Sequence, residues 1–493
     1  MSDTRKQSTS TETRSRPSRS PTVTGDRDMR KRDEMRGVAG SPQAGGPSRR
    51  CLLACAGFVM APISACTGGG SQPGDSDEPT FRLPKHPGRE ETVSPGWPVS
   101  AEPNSAAPTL HGDALYCTEY GGRIRALDST TGRQRWRVEP GPELAGLDDV
   151  NQDTPLVHGG IVIVARHSSS RKGSAVMALD TRSGSELWKR PTSGGVSVVL
   201  HADRVLLAES LPRQAGKLYA GSIVRSLNPR TGEVVWETRS PSVSRLLSAG
   251  DAIVVFHVSE GNTTAISSLR PSDGRESWRR NMPTNYPHGA QLADDLLVVH
   301  NDEQEGNVST VTAVRISTGK IAWKGTYAPL TTGPTPGGPG RLLISEARTV
   351  RALDSKSGSE LWIHRTKGDT CYDGLAEGKG TVVCGEHVQQ SPATQVTGIR
   401  VTLLESDSGT VQATWKGSYN NVGVLAAAQR AVFLSCQNDD QVDIVGVDTR
   451  SGKRLWRTPG EGGETLTVGG SAVYLHGEKI DRLDPRTGKR LTR

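Results

Sequence analysis

The chain has 493 residues, and its 57 Gly against only 4 Phe are typical of many turns and short strands. Its formal net charge of +7 is concentrated at the start: residues 1–65 hold 12 Lys and Arg against 6 acidic residues, and the remainder holds 48 against 47. A nucleic-acid-binding domain carries its basic excess on its folded part, so the charge distribution argues against nucleic acid as a partner.

The first 65 residues read as an export signal. Residues 1–50 are rich in Ser, Thr, Arg, Pro and Gly without apolar clusters, so we expect a disordered basic leader. Residues 51–65 form an apolar core of 15 residues, shorter than the roughly 20 that cross a membrane. Such a core behind a charged region predicts export, and Arg49 and Arg50 resemble the pair of a twin-arginine signal.

The apolar core ends in Ile63-Ser64-Ala65-Cys66, which resembles a bacterial lipobox. By that resemblance Cys66 becomes the lipidated first residue of the mature protein; an ordinary cleaved signal or an uncleaved anchor is the alternative. Residues 66–85 are rich in Gly, Ser and Pro and predict a flexible tether. We therefore expect an exported lipoprotein on the extracytoplasmic face of a membrane, with the true start codon left open.

From about residue 86, one signature recurs nine times as an apolar strand end, a polar turn ending in Gly, and a Trp in the next strand. Its clearest copy is ALDTRSGSELW, from Ala178 to Trp188. A Gly in every copy predicts a tight turn that needs positive φ, and the Trp is expected to fill the gap between neighbouring sheets. The signature residues are Gly132, Trp136, Gly184, Trp188, Gly232, Trp236, Gly274, Trp278, Gly319, Trp323, Gly358, Trp362, Gly409, Trp415, Gly452, Trp456 and Gly488.

The spacing of the signature predicts the fold. Successive glycines stand 36 to 52 residues apart, and an apolar strand precedes each copy. This period is typical of a β-propeller with four short antiparallel strands per blade, and no stretch of helical periodicity competes. We therefore expect residues 86–493 to form one all-β propeller.

The signature A-L-D-x-x-[ST]-G-x-x-x-W resembles the pyrroloquinoline-quinone (PQQ) repeat. Rings of that family most often have eight blades, and the ninth copy here lacks its Trp, so we expect eight blades within an allowed range of seven to nine. The family contains quinoprotein dehydrogenases, outer-membrane assembly lipoproteins, and extracytoplasmic sensor or binding domains. The dehydrogenases hold PQQ and Ca²⁺ in a central funnel and typically carry a disulfide between adjacent cysteines, whereas this chain has no Cys-Cys pair. We expect no cofactor and keep a PQQ-dependent dehydrogenase as the alternative.

The polar residues predict no catalytic centre. No zinc spacing, nucleophile elbow or phosphate-binding glycine loop occurs. The acidic stretch from Asp148 to Asp153 lacks the spacing of a known Ca²⁺ loop and is interpreted as a solvated turn. Cys371 and Cys384 flank a turn, so we expect either a disulfide across that hairpin or two free buried thiols.

Binding is the function that the sequence favours. The uniform signature turns should line one face of the ring and the variable loops the other, where a rigid scaffold commonly carries function. Three tyrosines of these loops, Tyr286, Tyr372 and Tyr419, are candidate interface anchors. We predict a monomeric, non-catalytic binding or scaffold module for an envelope protein, peptide or glycan. The loops concerned are 146–154, 168–174, 211–220, 260–264, 285–289, 301–307, 369–373, 386–395 and 419–421.

Overall fold

The computed structural model describes residues 97–100, 106–139, 151–167, 174–193, 195–212, 221–258, 264–282, 289–303, 307–378, 380–389, 396–428, 430–438, 441–460, 462, 464–469, 471–477 and 479–491. The predicted leader, apolar core and tether, with Arg49, Arg50 and Cys66, lie outside these ranges. Within them, no helix has the length and hydrophobicity needed to cross a bilayer.

The described residues form nine antiparallel sheets, which follow one another along the chain after a first strand, β1 (Val99–Ser100), that belongs to the last sheet. Sheets one to three contain β2 (Thr109–His111), β3 (Ala114–Thr118), β4 (Ile124–Asp128) and β5 (Gln134–Val138); β6 (Asn151–Gln152), β7 (Leu156–His158), β8 (Ile161–His167), β9 (Ala175–Asp180) and β10 (Glu186–Pro191); and β11 (Val196–His201), β12 (Arg204–Ser210), β13 (Ser222–Leu227) and β14 (Val234–Ser240). In the second sheet, β6 and β7 both pair with β8 and divide the first-strand position between them.

Sheets four to six repeat the same order of four strands. They contain β15 (Val243–Ala249), β16 (Ala252–Val258), β17 (Thr264–Leu269) and β18 (Glu276–Met282); β19 (Gly289–Ala293), β20 (Leu296–Glu303), β21 (Val308–Arg315) and β22 (Ile321–Tyr327); and β23 (Leu330–Pro336), β24 (Arg341–Glu346), β25 (Thr349–Asp354) and β26 (Glu360–Arg365).

Sheets seven and eight keep this order, and the ninth sheet takes its fourth strand from the start of the chain. They contain β27 (Thr370–Gly378), β28 (Thr381–Gln389), β29 (Val396–Glu405) and β30 (Val411–Gly417); β31 (Asn421–Ala427), β32 (Ala431–Asn438), β33 (Gln441–Asp448) and β34 (Arg454–Gly460); and β35 (Thr465–Gly469), β36 (Ala472–His476) and β37 (Lys479–Leu483), with β1 outside β37.

The sheets close into a ring. First strands of neighbouring sheets contact each other around the inside, including β35 of the ninth sheet with β2 of the first. Each pair of adjacent sheets shares an apolar cluster, so the core is nine separate layers between sheets. The layer that closes the ring joins Leu115 and Leu127 of the first sheet to Tyr474 and Ile480 of the ninth. The predicted propeller of four-stranded antiparallel blades is therefore confirmed.

The described residues form nine blades, which lies within the expected range of seven to nine, although the preferred number of eight was wrong. The ninth copy has no Trp, and the described residues after Gly488 form no outer strand; among them Arg490 makes a single bridge to Leu483. Instead β1 pairs with β37, with Val99 opposite Ile480. Trp97 takes the missing ring position: its indole packs against Gly132 of the next sheet and lies 5.7 Å from the Tyr474 ring.

The signature Gly and Trp act together between sheets. All nine signature glycines have φ between 63° and 72°, where a side chain is strained. A Cβ placed on Gly358 would also lie 2.6 Å from Cδ2 of Trp323 in the preceding sheet. The same indole donates from Nε1 to the carbonyl oxygen of Ser355 at 2.8 Å. The Gly therefore makes the turn and also leaves room for the neighbour's ring.

No disulfide joins Cys371 and Cys384, and both side chains are buried. Cys384 lies opposite Leu375, because the register shifts between Thr370 and Leu375. Cys384 packs in the layer towards the sixth sheet, whereas Cys371 packs in the layer towards the eighth. The two side chains therefore belong to opposite faces of the seventh sheet.

Candidate functional site

The antiparallel order gives the ring two different faces. Turns from first to second strand and from third to fourth strand lie at one edge of every sheet, and we call this edge the signature face. Connections from second to third strand, and from each sheet to the next, lie at the opposite edge, which we call the loop face. The variable loops named from the sequence belong to the loop face, although many of their residues lie outside the described ranges.

The signature turns use their polar groups internally. Asp180 Oδ1 accepts the N–H groups of Arg182 at 2.9 Å and Ser183 at 3.0 Å, and the Gly184 N–H donates to the Asp180 carbonyl at 2.9 Å. Partial burial favours a raised pKa for Asp180, but these hydrogen bonds outweigh it and lower the pKa. Because the carboxylate already accepts these hydrogen bonds within its own turn, it is not available to bind a ligand.

The loop face is held by a buried carboxylate at the end of the second strand. In the third sheet, Glu209 Oε1 accepts the N–H of Ser193 at 2.8 Å, which fixes the connection entering that sheet. Its Oε2 pairs with Arg225 at 2.5 Å, and Arg225 Nε reaches Glu237 at 3.1 Å. Burial alone would raise the pKa of Glu209, but the hydrogen bond from Ser193 and the ion pair with Arg225 outweigh burial and lower the pKa below its usual value. The carboxyl group is therefore ionised at neutral pH.

The same arrangement recurs in the sixth and seventh sheets. Glu346 accepts the N–H of Ala328 at 3.1 Å and pairs with Arg351 at 3.0 Å. Glu386 accepts the N–H of Lys367 at 2.9 Å. In each case one carboxylate positions the connection that enters the sheet, so the loop face stands on a repeated polar framework.

A serine–histidine pair occupies this position in the fourth sheet. His257 Nε2 lies 2.7 Å from Ser267 Oγ and Nδ1 lies 3.2 Å from Ser240 Oγ. This spacing would suit a base and a nucleophile, but His257 and Ser267 are 2% and 0% exposed. Burial lowers the pKa of His257 to about 4. A substrate cannot reach the pair, so its role is to hold the sheet.

An open groove of about 540 Å³ lies between the second and third sheets. Lys189, Arg190 and Pro191 of β10 form one wall, and Glu209 and Arg225 lie on the other. The charged groups of the far wall already neutralise each other, so this groove offers no convergent catalytic set. In the described part of the chain, no group of His, Cys, Asp and Glu side chains is arranged to hold a metal ion.

The structure describes the side chain of one of the three candidate tyrosines, Tyr419. Tyr419 is buried between the seventh and eighth sheets, where its hydroxyl donates to Asp443 at 2.9 Å, so it is a core residue and not an exposed anchor. Tyr286 and the Tyr372 side chain lie outside what the structure describes. Of the acidic stretch, Asp153 lies 3.1 Å from His167 Nε2, and Asp148 and Asp149 are outside the described ranges.

Known proteins share this architecture. A Burkholderia pseudomallei outer membrane protein assembly factor BamB is 23% identical over 383 residues, which cover 74% of this chain and 81% of that protein. The Yersinia pestis protein of the same name is 26% identical over 167 residues, 32% of this chain and 40% of that protein. A solved eukaryotic initiation factor has 11% identity and a TM-score of 0.53, covers 77% of this chain and 95% of that chain, and shares the fold alone.

A family model described as outer membrane protein assembly factor BamB matches residues 90–325 and 346–492. These two ranges include the signature residues and the closing strand β37. The chain therefore belongs to the PQQ-like β-propeller family that carries this description.

Proposed function

We propose that the chain is an exported, lipid-anchored propeller that binds an envelope protein through its loop face and catalyses no reaction itself. The observation that carries the proposal is the contrast between the two faces. The signature face consists of uniform turns, whereas the loop face consists of variable loops attached to the repeated polar framework. The buried Ser267–His257 pair and the Glu209–Arg225 pair are both used to hold sheets. Rigidly held loops are where recognition residues commonly lie.

The names of the relatives suggest a class of partner. Those proteins are assembly factors for outer membrane proteins, so the partner proposed here is a protein of an envelope assembly system or its client. Export and acylation at Cys66, directed by the segment containing Arg49 and Arg50, would bring the ring to that compartment.

Two positions of the sixth sheet test the binding face directly. Arg348 lies in the exposed connection between β24 and β25 on the loop face, and Lys356 lies in the exposed signature turn of the same sheet. A photo-crosslinking amino acid at position 348 should trap a defined protein in living cells, while position 356 should not. Equal adducts at both positions, or none at 348 and its loop-face neighbours, would reject loop-face binding.

Anchoring has its own test. The mass of membrane-extracted protein should correspond to a chain that begins at Cys66 and carries acyl groups, and Cys66→Ala should abolish both cleavage at that site and membrane retention. An unacylated, membrane-free mature chain would refute the anchor. Adding PQQ and Ca²⁺ to the same preparation should leave the unfolding temperature unchanged; stabilisation with dye reduction would favour the dehydrogenase instead.

A further inference from the structure

Charge is unevenly distributed over the signature face. The connections and strand starts of the eighth and ninth sheets expose six basic side chains, whereas residues 66–493 as a whole are almost neutral. The acidic residues of these two signature turns are Asp448 and Asp484, whose Oδ1 atoms accept turn N–H groups at 2.7 Å from Ser451 and Thr487. We call the six residues the basic arc: Arg430, Arg450, Lys453, Arg454, Arg486 and Lys489.

The basic arc is distinguished by the number of unpaired basic side chains that two neighbouring sheets expose together. None of its six members pairs with a carboxylate among the residues that the structure describes. On other sheets, Arg270 lies 2.7 Å from Asp273 and Arg315 lies 2.6 Å from Asp295. Arg182, Lys320 and Lys356, which are likewise unpaired within the described ranges, each lie in the signature turn of a different sheet. The two carboxylates of Asp448 and Asp484 interact electrostatically with Arg430 and Arg486, so six basic groups against two acidic groups leave an excess of positive charge for an external anion.

The described chain also begins beside the arc. Strand β1 runs antiparallel to β37 with Ser100 opposite Lys479, so Trp97 lies at the signature-face end of the ninth sheet. Its Nε1 donates to the carbonyl oxygen of Thr130 in the signature turn of the first sheet at 3.1 Å. Thirty residues separate Trp97 from Cys66, and a flexible chain of that length spans roughly 30 Å.

We propose that the basic arc docks on the anionic headgroups of a phospholipid bilayer, which turns the signature face towards the membrane and the loop face away from it. The orientation rests on the proposed acylation of Cys66, because a lipid-bearing tether would deliver the bilayer to this edge of the ring. A basic side chain close to an anionic membrane strengthens partitioning about fivefold. One acyl chain binds only marginally without a second contribution, and the arc supplies one.

Vesicle co-sedimentation tests the arc without the anchor. The probe is the full chain with Cys66→Ala, mixed with vesicles of phosphatidylcholine alone or with about one-third phosphatidylglycerol. The arc variant carries Arg450→Gln, Lys453→Gln and Arg486→Gln. A matched control removes three exposed charges from signature turns of the second, fifth and sixth sheets: Arg182→Gln, Lys320→Gln and Lys356→Gln.

We expect salt-sensitive binding to the phosphatidylglycerol vesicles only, a loss of about a hundredfold in the arc variant, and a much smaller loss in the control. Equal losses in both variants would reduce the effect to net charge and overturn the proposal, as would equal binding to neutral vesicles. The basic leader is common to all variants, so a difference between the arc variant and the control reports the substituted positions. If Cys66 is acylated but vesicle binding does not depend on the arc, the proposed function stands and this inference fails. If vesicle binding depends on the arc but Cys66 is not acylated, docking through the arc stands and the proposed lipid anchor fails.

Discussion

Substituting a signature glycine tests why Gly and Trp recur together. Gly358 and Gly340 lie in two turns of the sixth sheet with φ of 72° and 71°. A Cβ on Gly358 would meet Trp323 at 2.6 Å, whereas one on Gly340 would have nothing within 4 Å. The two Gly→Ala substitutions therefore impose the same backbone strain and differ only in contact with the indole.

The magnitudes follow from these two contributions. Placing a side chain in the left-handed region costs about 1–2 kcal/mol, and this should be the whole effect of Gly340→Ala. Overpacking against Trp323, which is only 9% exposed, adds about 1–3 kcal/mol. Gly358→Ala should therefore lower the free energy of unfolding by about 2–5 kcal/mol.

Urea unfolding followed by circular dichroism measures both variants, and a double-mutant cycle isolates the contact. Trp323→Ala alone should cost about 3–5 kcal/mol, but it opens the space that the new methyl group needs. The double variant should therefore be less destabilised than the sum of the single variants by about 1–3 kcal/mol. Equal effects of Gly358→Ala and Gly340→Ala, or an additive cycle, would refute the paired role.

Three further predictions concern closure, pH and the thiols. Trp97→Ala should cost about 3–5 kcal/mol in urea unfolding, while Trp97→Phe should lose only about 1 kcal/mol with the Nε1 hydrogen bond; a harmless Trp97→Ala would contradict closure by this residue. Burial lowers the pKa of both His257 and His476 to about 4. Between pH 6.5 and 4 the unfolded chain therefore binds more protons than the folded chain, and the free energy of unfolding should decrease by roughly 2–3 kcal/mol for each histidine as the pH falls. His476→Leu should make this pH dependence shallower, and an unchanged slope would refute the prediction. Burial raises the pKa of the Cys117 thiol to about 12 and that of Cys384 above its usual value, so both should resist a maleimide in the native protein and react after unfolding, as mass spectrometry of the adducts would report.

Local features explain how much of the ring could be predicted from the sequence. A positive-φ turn needs Gly within one hairpin, and the indoles other than that of Trp415 pack on the glycine of the next copy, so each repeat can be recognised within about 50 residues. The blade number depends instead on Val99 pairing with Ile480, a contact between distant ends of the chain. A strand of two residues carries too weak a pattern to reveal that pairing, although the unmatched Trp97 and the ninth copy without Trp were complementary signals.

The loop-face framework was missed for a different reason. A buried Glu or His ends the second strand in several sheets, as at Glu209, Glu346, Glu386 and His257. These residues recur with the same period as the signature, so a search for polar residues at the ends of apolar strands would have found them. Their roles required the structure, because the partners are backbone N–H groups of connections that vary in sequence. Tyr419 was wrongly predicted to be an interface anchor, because the short segment that follows the outer strand β30 packs inward.

Closure of the ring by its first strand is tested most directly by an engineered disulfide between β1 and β37. Ser100 and Lys479 are exposed and directly opposite each other, and opposed Cβ atoms lie about 4.5–5.5 Å apart in antiparallel pairs. Oxidised Ser100→Cys/Lys479→Cys protein should yield one cross-linked peptide in high amount by mass spectrometry, while the register-shifted Ser100→Cys/Asp481→Cys protein should yield little. Absence of the bond in the first protein, or equal bonding in both, would contradict a nine-bladed ring closed by residues 99–100.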